Sequence, residues 1–370
     1  MNSRSNSRKV FWLLVVIILL IGGMVARKIT HIHSPKVSIP SSSFTLTVID
    51  VGQGDSILLQ TGTKTMLVDA GDGEHGDTVV DYLSKANVKQ IDLLVATHPH
   101  EDHIGGMAGV LAAFPVKQVW DSGFNQGSHT QQEFLQTIHD KNISYQNPRA
   151  GDTINLGDSH IAVLAPVGGL LHDTDSDANN NSIVLRVSYG KVSVLLTGDM
   201  EEAERGTVST WPRSTVLKVA HHGSHNGTDA QFVREISPSL AVISCGLNNP
   251  FGHPHASTLA ALHAAGVPVK ITKDDGNVII TSDGESIHVT TQENSSTISS
   301  DSNRNEETSI THSPPPSPPV DSGGYIGNMH SHVFHRSSCE SLPAEHNRVY
   351  FSSRTAAIRE GYHPCGRCAP

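Results

Sequence analysis

The sequence predicts a layered α/β protein followed by a small α+β domain stapled by metal. Three observations lead there. Short apolar runs of strand character alternate with helical segments from Phe44 to Thr290. Asp50, Asp69, His98, Asp199, His221 and Ser244 each stand just past such a run, where open α/β sheets place their sites. Two close pairs of ligand-type residues, His335/Cys339 and Cys365/Cys368, punctuate the C-terminal stretch.

The chain has 370 residues, enough for one large domain and a small one. Its formal charge of −10 excludes a globally basic nucleic-acid binder. Arg4, Arg8 and Lys9 precede an apolar run from Val10 to Ala26, closed by Arg27 and Lys28. A basic flank before an apolar run is an export signal. The run is just long enough to span a bilayer, so residues 1–28 are expected to be an uncleaved anchor or a cleaved signal peptide. The expected placement is a single-pass membrane protein with an extracytoplasmic body, or a secreted one after cleavage. Residues 29–43, with Pro35 and Pro40, read as a tether.

Residues 44–291 form the expected body. Phe44 to Asp50 alternates as a strand, and Val51-Gly52-Gln53-Gly54-Asp55 turns the chain, with Asp50 and Asp55 fixing the turn. Strands are expected at 56–60, 66–69, 91–96, 116–120 and 161–164. A hairpin joins 182–188 to 192–196 through Tyr189-Gly190-Lys191. Further strands fall at 215–219, 240–244, 269–272, 277–281 and 286–290. Helices are expected at 77–87, 131–139 and 257–264, with another after Gly106. Residues 292–323 are Ser, Asn, Glu and Pro-rich and cannot build a core, so they read as a disordered linker. Residues 324–370 regain a small core through Tyr325, Phe334, Val349, Phe351 and Tyr362.

The densest chemistry lies in Thr97-His98-Pro99-His100-Glu101-Asp102-His103-Ile104-Gly105-Gly106. Imidazole and carboxylate together suit zinc, manganese or iron. His98 and His100 can be aimed at one ion, and Asp102 and His103 at a second. Asp199 is the best bridge and His221 the natural further ligand of the second ion. Two ions about 4 Å apart can activate a hydroxide for hydrolysis, and phosphodiester cleavage fits that chemistry best.

The T-H-x-H-x-D-H-x-G-G run resembles the signature of the metallo-β-lactamase superfamily. Asp50–Asp55, Leu67–Gly71, Asn181-Ser182, Leu196–Asp199, Lys218–Ser224 and Asn249–His255 resemble its ComEC-type competence branch, in chain order. The resemblance implies an αββα sandwich and a nuclease-like role on DNA, with Asp102 and Asp199 at the reacting centre. It implies that His98 and His100 hold one divalent ion (zinc or manganese), Asp102, His103 and His221 a second, and that Asp199 bridges them. It assigns Asp69 to steadying the turn and puts His253 and His255 near the substrate. One departure stands out. The histidine expected between 103 and 199 as a third ligand of the first ion is missing, and Asn181-Ser182 stands there instead; His172 is a weak substitute. His222 and Ser224 either touch a phosphate or cap a helix. His75, His129 and His225 read as solvent histidines, and Cys245 as an apolar filler.

His335-x-x-x-Cys339 and Cys365-x-x-Cys368 have the spacing of a structural zinc site. Their surroundings resemble the Ada-type metal-binding domain, in which a cysteine usually stands at the position of His335. The expected partners are therefore DNA and, through the N-terminal run, a membrane. Two rival functions are hydrolysis of a small ester, lactone, β-lactam or choline phosphodiester, and DNA tethering through a degenerate site.

Overall fold

The computed structural model describes residues 44–247 and 249–292, and 325–328, 333–336 and several further residues up to 365 in the C-terminal stretch. The apolar run Val10 to Ala26, the tether, the Ser/Pro-rich stretch and Cys368 lie outside the described residues.

The first half runs β1 (Phe44–Val48), β2 (Ile57–Thr61), β3 (Lys64–Val68), α1 (Gly76–Lys85), β4 (Leu93–Ala96), α2 (Glu101–Ile104), α3 (Met107–Ala113), β5 (Gln118–Asp121), α4 (His129–Asp140) and β6 (Ser144–Gln146). The second half runs β7 (Thr153–Leu156), β8 (Ser159–Ala165), a 3-10 turn (Asn179–Asn181), β9 (Val184–Tyr189), β10 (Val192–Leu196), α5 (Glu202–Arg205), β11 (Val216–Lys218), a second 3-10 turn (Ala220–Gly223), α6 (Ala230–Ile236), β12 (Leu240–Ile243), α7 (Ala256–Ala264), β13 (Val269–Ile271), α8 (Thr272–Asp275), β14 (Asn277–Ser282) and β15 (Ile287–Gln292).

Two sheets result. An eight-stranded sheet has the order β15-β14-β1-β2-β3-β4-β5-β6, and a seven-stranded sheet the order β13-β12-β11-β10-β9-β8-β7. Period-two alternation decides which face each residue takes. In β4, Leu93 and Val95 join the slab between the sheets with Leu46, Leu59, Leu185 and Val194. Leu94 and Ala96 point the other way, under α1, α3 and α4, where Val79, Leu83, Met107 and Phe134 cover them. On the second sheet Leu195, Leu217 and Ile243 turn outward beneath Trp211, Phe232, Ile236 and Leu262. Each such buried side chain is worth roughly 1.5–3 kcal/mol. The arrangement is therefore helix–sheet–sheet–helix, the expected αββα sandwich.

Three local readings change. β6 escapes the periodicity argument because all three of its residues are exposed. β7 is half exposed and equally unmarked. The strand expected at 269–272 stops at Ile271, because Thr272 opens α8 and its hydroxyl accepts the Cys245 N–H at 3.0 Å. Cys245 is buried in the outer core of the second sheet, and burial pushes its thiol up to about 11.

The C-terminal stretch forms a sheet of its own from β16 (Tyr325–Asn328), β17 (Val333–Arg336), β18 (Arg348–Phe351) and β19 (His363–Pro364), in the order β18-β16-β17-β19. Tyr325, Phe334, Phe351 and Tyr362 pack as its core. A Cβ at Gly327 would press into the Tyr362 ring at 2.6 Å, so only glycine fits there.

Two expectations are corrected. Among the described residues no helix is long and apolar enough to cross a membrane. The single-pass and signal-peptide assignments rested on a run outside those residues, and they are withdrawn together with the membrane as partner. DNA as a partner is withdrawn as well. Lys64 and Lys117 both pair with Asp92, Lys191 with Glu285, Arg205 with Asp229 and Lys270 with Asp275. These cations sit against carboxylates instead of gathering into the basic track that a nucleic-acid backbone requires.

Candidate metal centre

The centre lies at the strand ends of both sheets. β3 ends at Val68, and Asp69 follows in a left-handed conformation (φ 58°). Its buried carboxylate accepts the Thr97 N–H at 2.8 Å and the Thr97 hydroxyl at 2.7 Å, and it faces His103 Nδ1 at 2.8 Å. Burial raises the Asp69 pKa more than His103 lowers it. Asp69 thus ties the end of β4 to the turn that follows and fixes one imidazole. Gly106 closes that turn, and a Cβ there would collide with the Ala70 carbonyl.

Asp199 follows β10, and its N–H donates to Ser182 Oγ at 3.2 Å. Four imidazoles converge on its Oδ2: His103 Nε2 and His222 Nε2 each at 3.3 Å, His221 Nε2 at 3.7 Å and His98 Nε2 at 3.8 Å. The other ring nitrogen of each is anchored. His98 Nδ1 meets Thr97 Oγ1 at 3.2 Å, and His103 Nδ1 meets Asp69. His222 Nδ1 meets the Ser244 carbonyl at 3.0 Å, and His221 Nδ1 meets Glu201 Oε1 at 3.2 Å. Anchoring one nitrogen and presenting the other is how ligand histidines are held. His100, capping α2, places Nδ1 3.0 Å from His98 Nε2. Asp102 Oδ2 lies 3.3 Å from His222 Nε2.

The electrostatics agree with ligation. Asp199 is buried, which alone would raise its pKa, but His103, His222 and His221 hold it well below the carboxylate range. Asp102 behaves likewise: burial opposes ionisation, and His103 and His222 overcome it. Burial alone would lower His103 and His222, yet the surrounding carboxylates, Asp199 first, raise both well above the usual value. His98 falls well below it, through burial and the nearby His103. Asp199 Oδ1 is buried with no hydrogen-bond partner among the described residues. A buried carboxylate oxygen without a donor, beside imidazoles crowded nitrogen to nitrogen, fits a cation that completes the contacts. Asp102, His103, Asp199 and His222 bring their ligand atoms within 4.8 Å of one another.

The other expected residues divide. Asn181 does not face the centre. It accepts the Leu171 N–H at 2.7 Å and donates to the Leu171 and Asp177 carbonyls, pinning that loop. His172 is exposed, 3.9 Å from Asp177. The His253 ring lies 5.5 Å from that of His221, and burial together with His222 and His221 depresses its pKa strongly. His255 begins α7 and accepts the His225 N–H at 3.0 Å, so His225 is not simply solvated. His75 pairs with Asp72 at 2.7 Å. In the C-terminal sheet, His335, Cys339 and Cys365 present ligand atoms within 4.8 Å, with His335 Nδ1 3.4 Å from Cys339 Sγ.

Sequence reasoning gave one group too small a role and passed over two others. Asp55 does more than shape its turn: its Oδ2 lies 2.8 Å from Lys218 Nζ, both side chains 1% exposed, and its Oδ1 lies 3.5 Å from His222. A lysine inside the apolar run 215–219 was the available signal. Glu201 is held by Asn179 at 2.8 Å and Asn180 at 3.2 Å. Glu204 is buried, accepts the Ser182 N–H at 3.1 Å, and burial raises its pKa well above the carboxylate range.

A four-layer sandwich with a histidine–carboxylate cluster at the strand ends of both sheets defines a metal-dependent hydrolase. The chain belongs to the metallo-β-lactamase superfamily, whose family profile matches residues 49–246. A separate profile, the metal binding domain of Ada, matches residues 318–370. ComE operon protein 3 of Bacillus subtilis (strain 168) is 31% identical over 260 residues, which cover 64% of this chain and only 33% of that protein. Hydroxyacylglutathione hydrolase of Haemophilus ducreyi is 30% identical over 196 residues, covering 49% of this chain and 70% of that protein. Exodeoxyribonuclease WalJ of Streptococcus pneumoniae is 30% identical over 160 residues, covering 41% of this chain and 56% of that protein.

Proposed function

We propose that the body hydrolyses a small substrate carrying an ester-type bond, such as an ester, a lactone, a β-lactam or a choline phosphodiester. Two divalent ions, zinc or manganese, would be held by His98, His100, Asp102, His103, Asp199 and the His221-His222 pair. Bound ions of this kind activate a water and polarise the oxygen under attack. The residues supply the rest. Asp199 is kept ionised between the imidazoles, and Asp69 holds His103 in one orientation. Asp102, its side chain 29% exposed beside His222, is likewise kept ionised and is the carboxylate of the set that reaches toward solvent. His253 and His255 would meet the substrate at the mouth.

The carrying observation is the convergence of four imidazoles on one buried carboxylate. The 70% of hydroxyacylglutathione hydrolase matched by the chain supports a small substrate. An exodeoxyribonuclease stands among the relatives, so DNA turnover is the outcome against which this reading is tested. The test is a panel of a thioester, a lactone, a β-lactam, bis-p-nitrophenyl phosphate, and single- and double-stranded DNA, with zinc or manganese. Turnover confined to the small substrates supports this reading; turnover confined to DNA overturns it. Unchanged turnover in His103→Ala sinks metal-dependent hydrolysis at this centre altogether.

For the C-terminal domain (324–370) we propose a structural zinc held by His335, Cys339, Cys365 and Cys368. The domain limits 44–291 and 292–323 are proposed on composition.

A further inference from the structure

His221 and His222 are adjacent, yet their rings point apart. Both have left-handed backbones, φ 49° and 53°, a conformation that residues with a Cβ rarely adopt. The result is that the two rings diverge, with centroids 6.0 Å apart and planes at 69°. His222 goes to Asp102 and His103. His221 is not part of that four-residue cluster. Its Nε2 reaches Asp199 Oδ2 at 3.7 Å, an oxygen that His98 meets at 3.8 Å and that His103 and His222 meet at 3.3 Å, so what separates His221 from His222 is the divergence of the rings and its place outside that cluster.

We propose that His221 is the missing third nitrogen ligand of the ion held by His98 and His100, and that Glu201 is the positioning residue that keeps it there. The proposal rests on the two-ion reading above. Glu201 Oε1 faces His221 Nδ1 and leaves Nε2 for the ion, as Asp69 does for His103. A carboxylate behind a ligand histidine fixes its tautomer and raises its basicity. Glu201 is itself clamped, because Asn179 donates to Oε1 and Asn180 to Oε2. Asn181-Ser182, where the family resemblance expects a histidine, closes the same turn. The turn therefore acts on the first ion at one remove, through Glu201, while its third residue pins a loop.

The test is manganese titration of the full chain, with bound ions counted by equilibrium dialysis and their coupling read by electron paramagnetic resonance. Manganese is chosen because the thiolate site of the tail disfavours it. The wild type is expected to bind two ions with exchange-coupled spectra. His98→Ala and His221→Ala should each keep one uncoupled ion of the same affinity. The double variant His98→Ala/His221→Ala should still keep that ion, and His221→Ala/His222→Ala should keep none. Glu201→Gln should keep both but weaken the first about 10–100-fold, and it decides the matter if His221→Ala does not fold. Two ions at wild-type affinity in His221→Ala overturn the proposal. So does the loss of both ions in His98→Ala/His221→Ala, which would place His221 on the second ion. Fewer than two ions in the wild type overturn the two-ion reading itself, and this proposal with it.

Discussion

Lys218→Met isolates a charge buried beside the metal centre. Lys218 Nζ lies 2.8 Å from Asp55 Oδ2, and both side chains are 1% exposed, so solvent screening does not dilute the pair. At an effective dielectric of about 20 the gross attraction is roughly 6 kcal/mol, most of which offsets the cost of taking both charges out of water. Removing only the lysine leaves Asp55 buried without that cation. Such a break costs about 3–5 kcal/mol. The pH dependence has a definite sign. With Lys218 present, burial raises the Asp55 pKa but Lys218, His222 and His103 bring the balance below the usual value. Without Lys218 that balance shifts upward. A raised folded-state pKa gives stability that is fully present below the unfolded value and is lost as pH rises. The deficit of Lys218→Met should therefore be largest near neutrality and shrink toward pH 4. Urea unfolding of the metal-free chain, followed by the fluorescence of buried Trp120 and Trp211, measures it. Replacing Asp55 by Leu in the same chain should recover most of the loss. A deficit under about 1 kcal/mol, or one indifferent to pH, would refute the reasoning.

Further outcomes are expected. Asp69→Asn should weaken metal binding about 10–100-fold with the fold retained, measured by calorimetry, because the group behind His103 loses its charge. Gly106→Ala should lower stability by about 1–3 kcal/mol, since its Cβ meets the Ala70 carbonyl; denaturant midpoints check this. Glu204→Gln should raise the melting temperature at pH 8 and converge on wild type toward pH 4. Burial raises the Glu204 pKa well above the carboxylate range in the folded chain, so wild-type stability falls as pH rises past the unfolded value, and glutamine removes that loss.

Much of the body was legible because its strands are short and buried in simple alternation. Leu93 to Ala96 reads as a covered strand from its apolar run alone, and the turn after it announces itself through His98, His100, Asp102 and His103. What stayed hidden depends on backbone direction or on distant partners. Nothing in the letters His221-His222 says that both residues adopt left-handed backbones, so the sequence could not say that the two rings point apart. Asn179, Asn180 and Glu201 are ordinary polar residues until the fold brings them together. β6 is exposed at every position and carries no pattern to read.

The centre also has a mechanical consequence. Asp69, His98 and His103 belong to the first sheet's loops, whereas Asp199, His221 and His222 belong to the second's. The slab of aliphatic side chains between the sheets is non-directional and tolerates small slides of one sheet over the other. The interlocked imidazoles and carboxylates act as a dowel across that seam and convert a tolerant interface into one alignment. A methylene removed from the slab, at Val194, would therefore lower stability while the interlocked groups keep the two halves of the centre in register.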